Sequence, residues 1–106
     1  MRVLLDECVP RQVGGLLTSS DVPTVEMAGY KGIENGDLLR AAEGRFDVLI
    51  TADKNLRYQQ NLGDRRIALI ELPFNSWPRL KLMERQITEA MDRIKPGDYV
   101  QIESID

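Results

Sequence analysis

Histidine is absent from the 106-residue chain, and cysteine occurs once, as Cys8. The missing histidine removes Ser-His-Asp and Cys-His catalysis and the commonest zinc ligand. A single cysteine excludes an intramolecular disulfide and a thiolate metal cluster. No apolar run approaches the roughly 20 residues that a membrane-spanning helix needs. Asp6 and Glu7 interrupt any apolar signal-peptide core, so the cytoplasm is the expected location. There is no low-complexity tract, internal repeat or linker. The net charge of −3 argues against broad nucleic-acid coating, which goes with a basic domain, but leaves room for a local basic patch beside an acidic site. Acid–base or metal chemistry must therefore rest on carboxylates, amides and hydroxyls. Oxygen-only ligands favour hard cations such as Mg2+, Mn2+ or Ca2+.

What is present reads as one domain over residues 1–106, with strands alternating with helices. Residues 2–5 read as a short, fully buried strand. A helix follows from Pro10, with Val13, Leu16 and Leu17 on one face, weakened by Gly14 and Gly15. Residues 22–25 suggest a second strand, at an edge because of Pro23. After a glycine-rich loop, Asn35 is a good N-cap for a helix carrying Leu38, Leu39 and Ala42, with Gly44 at its end. Residues 48–51 and 67–72 read as strands, and 56–62 as a short helix. The clearest helix spans about 79–94, where Leu80, Met83, Ile87, Ala90, Met91 and Ile94 form an apolar stripe stopped by Lys95-Pro96-Gly97. A last strand is expected over 99–103. The pattern implies a mostly parallel sheet with helices on both faces, whose ligands bind outside the carboxyl ends of the strands.

At that edge the acids converge. Val3-Leu4-Leu5 stops at Asp6, and Val48-Leu49-Ile50 runs through Thr51 to Asp53. Asp37, in the first turn of the helix that precedes the second of these strands, is expected at the same edge. Crowded carboxylates repel unless a cation neutralises them. A hard divalent ion would do so, acidify a water and stabilise charge on a phosphoryl oxygen. Plainer readings stand beside this one. Asp37 also suits the helix macrodipole, Asp6 could be a cap, and Asp53-Lys54-Asn55 could be a polar turn. Arg11, Lys54 and Arg57 follow the acidic strand ends and are candidates for phosphate contacts, with Asn55 as a partner for water or phosphate. Thr51 could hydrogen-bond Asp53. Cys8 reads as a small buried residue, and Trp77 as a local packing plug.

The stretches MRVLLDECVPRQVGGLL, NGDLLRAAEGRFDVLITADKNLRYQQN and IALIEL, in this order and spacing, resemble the PIN-like proteins, a compact branch of the PIN nuclease superfamily. The resemblance covers about 1–103 and is strongest over 35–61. It implies a three-layer α/β/α sandwich, Mg2+ or Mn2+ dependence and ribonuclease activity. It also implies, by analogy with many members, the toxin of a toxin–antitoxin pair, with a small antitoxin partner and a homodimer. Carried over, the superfamily's acids fall on Asp6, Asp37 and Asp53 as metal ligands and catalytic residues. One departure is a further acid, often Glu, that such nucleases place in an intervening helix. Glu26 and Glu34 lie nearby without a helical match, and Glu7 is a spatial substitute. The alternative that follows is a catalytically reduced PIN-like binding module. A third reading, a phospho-accepting receiver, shares the Asp6-Glu7 pair and a lone Asp53. It lacks the hydroxyl residue expected where Leu72-Pro73 stands, and no lysine follows the last strand.

Overall fold

The computed structural model describes residues 2–17, 22–33, 35–54 and 66–104, without the side chains of Asn35 and Gly36. The expected helix over 56–62, and with it Asn55 and Arg57, lies outside the described residues. Among those described, four strands form one parallel sheet in the order β1 (Val3–Leu5), β2 (Val48–Thr51), β3 (Ala68–Glu71), β4 (Tyr99–Gln101). Between them run α1 (Gly14–Leu17), entered through a 3-10 turn at Arg11–Val13, then α2 (Asn35–Ala42), α3 (Trp77–Leu80) and α4 (Glu84–Arg93).

β1, β2 and β3 are buried on both sides, which is why they read as unbroken apolar runs rather than alternating ones. Val3, Leu5, Val48, Ile50, Ala68 and Ile70 face one layer, packed with Val13 and with Leu80, Met83, Ile87 and Met91. Leu4, Leu49 and Leu69 face the other, packed with Leu38, Leu39 and Ala42 of α2 and with Val25 and Tyr30. The period of two along each strand thus distributes its residues between two helical layers. The result is an α/β/α sandwich. Each Leu or Ile so buried contributes about 1.5–3 kcal/mol before entropic costs.

Three expectations are corrected in detail. The strand over 22–25 reduces to an isolated parallel bridge between Thr24 and Leu5. Pro23 has no N–H to donate, but its carbonyl accepts from Leu5 N (3.0 Å), while Val25 N donates to Leu5 O (2.8 Å). The helix over 79–94 is interrupted by a 3-10 turn at Lys81–Met83, after an early start at Trp77 with Pro78 in its first turn. The helix after the glycine-rich loop begins at Asn35 itself, so Asn35 is its first residue rather than its cap. Gly44 takes the left-handed conformation (φ 93°) just beyond the end of α2, as a helix-terminating glycine does. Gly14, which weakens its helix in isolation, is buried, and a Cβ there would lie 3.0 Å from Val22 Cβ. Close packing, not helix propensity, explains that residue.

Candidate active site at the carboxyl ends of β1 and β2

Leu5 sends its N–H and C=O toward the 23–25 segment, while the next residue, Asp6, donates its N–H to Ile50 O (2.9 Å). The chain therefore leaves β1 on one side, and α2 returns it to β2 on the other. In open parallel sheets such a switch point opens a crevice outside the strands' carboxyl ends, where ligands bind. Asp6 and Thr51 stand there.

Asp6 is buried, with 7% of its surface exposed. Its Oδ2 accepts from Thr51 Oγ1 at 2.7 Å and from Cys8 Sγ at 3.8 Å, and its Oδ1 accepts from Glu7 N at 2.8 Å. Among the described residues all of its partners are neutral donors. Buried carboxylates require hydrogen bonds, and here dipoles supply them, leaving the negative charge in place. Thr51, fully buried, works in both directions: its hydroxyl donates to Asp6 and accepts from Asp53 N at 3.0 Å. Cys8 Sγ accepts from Ala52 N at 3.3 Å and lies 3.6 Å from Thr51 Oγ1. Burial pushes the Cys8 thiol above its ordinary value, and the nearby Asp6 charge adds to the rise. Cys8 is thus a protonated polar link between the two strand ends. Reading it only as a small buried residue missed that role.

Of the residues anticipated from sequence, Asp6, Thr51 and the backbone of Asp53 are brought together, and Lys54 follows, exposed. Asp37 sits in the first turn of α2, on the layer that covers the Leu4 and Leu49 face. Its carboxylate is 68% exposed and pairs with Arg40 at 3.7 Å. Among the described residues no three His, Cys, Asp or Glu side chains are grouped to hold a metal ion. Arg11, in the 3-10 turn after Asp6, is exposed and shares a cavity wall with Asp6.

Two residues escaped the sequence reading. Glu71, at the end of β3 and in register with Thr51, is 1% exposed and accepts from Tyr99 Oη at 3.1 Å. A lone acid closing an apolar run was its only signal. Lys31 lines the cavity beside Asp6, and nothing in its glycine-rich surroundings marked it.

Compared with known proteins, the chain matches no family model, no curated protein and no solved structure. Among the described residues no helix is long and apolar enough to cross a membrane.

Proposed function

We propose that this chain is a PIN-like, divalent-metal-dependent ribonuclease that hydrolyses RNA phosphodiester bonds. The observation that carries the reading is the buried Asp6 carboxylate, held by the Thr51 hydroxyl at the switch point of a parallel sheet and surrounded by neutral donors.

The donor chemistry at this edge suits Mg2+ or Mn2+. All the side chains on offer are oxygen donors apart from the protonated Cys8. Mg2+ keeps several waters and is commonly held by one or two carboxylates plus substrate phosphates, so a complete protein cage is not required. Asp6 and Asp53 are the residues that would hold it, and Asp37, paired with Arg40 at the surface, is the third acid that the resemblance implies. Bound there, the ion supplies a more acidic water and positive charge against the phosphoryl oxygens. The chain's own residues do the rest. Thr51 fixes the rotamer of Asp6 and the backbone of Asp53 together. Cys8 holds the Ala52 amide, which sets the direction of the turn that follows. Lys54 and Arg11, both exposed, would meet phosphates.

The same proposal includes a cytoplasmic toxin neutralised by a small antitoxin, with a homodimer as the assembly. The receiver reading gains nothing from the site, since Leu72 after β3 is buried and apolar.

The test is cleavage of a labelled single-stranded RNA with Mn2+ or Mg2+, against EDTA. Metal-dependent cutting that disappears in both Asp6→Asn and Asp53→Asn supports the reading. Cutting at parental rate by either variant refutes the assignment. No cutting at all by a folded parent favours the catalytically reduced module.

A further inference from the structure

A cavity of about 290 Å³ opens beside Asp6, on the outer side of β1. Asp6, Glu7, Val9 and Arg11 wall one side, and Thr24, Glu26 and Lys31 the other. Its position follows from the topology. The turn leaving β1 and the loop after the Thr24–Leu5 bridge diverge from the same strand end and leave a cleft between them. Its two cations come from segments some twenty residues apart, so the fold, not the sequence, brings them together.

The lining carries three carboxylates, Asp6, Glu7 and Glu26, and two cations suited to a nucleotide's phosphate. Arg11 and Lys31 supply positive charge for a phosphate. Val9 is buried and apolar, and Thr24 is half-buried. Glu26 offers an acceptor for a sugar hydroxyl, the group that distinguishes RNA from DNA. Lys31 Nζ now meets Glu26 Oε1 at 3.8 Å, with both side chains about 70% exposed. A pair that exposed is worth little, so Lys31 can turn to a phosphate at small cost and leave Glu26 for the hydroxyl.

We infer that this cavity is the subsite for the ribonucleotide flanking the cut, its phosphate held by Arg11 and Lys31 and its 2′-hydroxyl by Glu26. The inference rests on the ribonuclease reading for its place beside Asp6, but it makes its own demand on binding. It also accounts for how an acidic chain can grip a polyanion: the grip is local, between the two walls of one cleft.

The experiment is fluorescence anisotropy of a short labelled single-stranded oligoribonucleotide and its deoxy counterpart. EDTA holds off metal-dependent cutting and leaves the cavity's cations intact. The parent should prefer the ribo strand. Lys31→Glu should weaken binding about tenfold or more, and Lys31→Ala should flatten the dependence of log K on log salt by about 0.7, the loss of one phosphate contact on a single strand. Glu26→Gln should bring the ribo and deoxy affinities together. Lys31 and Glu26 are exposed, and an unchanged melting temperature in each variant certifies the fold. Parental affinity and salt slope in both Lys31 variants, or no oligonucleotide binding by the parent, overturns the subsite. Cleavage measured in parallel separates the two ideas. An active parent with indifferent Lys31 variants sinks the subsite and spares the nuclease. Lys31-dependent binding without cleavage does the reverse.

Discussion

The two ends of the β1–β2 pair solve the same electrostatic problem in different ways. At the amino end, Asp47 meets a cation: Arg2 N donates to its Oδ2 at 2.7 Å, the Arg2 guanidinium lies 3.5 Å from its Oδ1, and the same guanidinium donates to Gly44 O at 3.2 Å. At the carboxyl end, Asp6 is more deeply buried, and its described partners are a hydroxyl, an amide and a thiol. The first junction is neutralised and closes on itself. The second spends a buried hydroxyl and a half-buried thiol on orienting an acid without cancelling its charge. A charge left uncancelled in a cleft is available to a cation or a substrate, and this asymmetry separates a structural junction from a candidate site.

The sharpest way to break that comparison is to remove the charge. Asp6→Asn keeps a carbonyl oxygen for the Thr51 hydroxyl and should retain the fold. It should lower metal-dependent RNA cleavage by about 10³-fold, the scale of a few kcal/mol of lost charge stabilisation. Single-turnover cleavage alongside thermal melting checks it. A variant that melts like the parent and cuts like the parent would make Asp6 merely a buried structural acid.

Next in size is the hydroxyl that joins the two strand ends. Thr51→Val keeps the shape and leaves Asp6 Oδ2 and Asp53 N each short of a partner. We expect a loss of about 1–3 kcal/mol in chemical denaturation, together with weaker cleavage, and recovery of both in Thr51→Ser. Recovery of stability without activity would mean that the Thr51 hydroxyl serves the fold alone.

How far these features could be read without coordinates varies with their physics. Val3-Leu4-Leu5 and Val48-Leu49-Ile50 announce doubly buried strands because both of their faces are apolar, and the acid after each marks where the sheet ends. Local patterns carry that much. The 22–25 segment was over-read because β-branched valines signal strand wherever they occur, whereas only one ladder contact at Thr24 survives beside Pro23. The 79–94 stripe repeats at helical spacing whether or not a 3-10 turn interrupts it, so the break at Lys81–Met83 left no trace. Asp37 lies in the first turn of α2 as read, but its exposed carboxylate pairs with Arg40 three residues on, a choice that spacing alone does not reveal. Lys31 and Glu71 became visible only through partners distant in sequence.

At the amino junction a smaller effect is expected. The Arg2 backbone N–H, aided by its guanidinium, holds the Asp47 carboxyl below its ordinary value of 3.8. A folded pKa below the unfolded one stabilises the protein above about that pH, and the benefit is lost as pH falls through the folded value. Asp47→Asn should therefore cost about 0–1 kcal/mol near neutrality, as exposed pairs do, and nothing in strong acid, with cleavage unchanged. Denaturation at neutral and acid pH tests both halves. A loss of activity here would erase the contrast between the two ends.

The smallest effect belongs to Cys8 and runs in the opposite direction along the pH axis. Its thiol is raised above the ordinary 9.0, chiefly by burial, so the folded protein keeps a proton that the unfolded chain releases. Below the unfolded value the two states carry the same proton, and Cys8 adds no pH dependence. Above it stability falls with rising pH, by at most one proton's worth of slope, until the folded thiol also ionises. Other groups titrate in that range, so the quantity to measure is the difference between parent and Cys8→Ala in denaturation series from neutral to alkaline pH. The variant's curve should be flatter above 9.0 by that increment, whatever constant offset the lost sulfur contacts introduce. Parallel curves would mean that Cys8 ionises alike in both states. The thiol would then stand in water rather than between Asp6 and the Ala52 amide, and the carboxyl junction would lose one of the neutral donors that distinguish it.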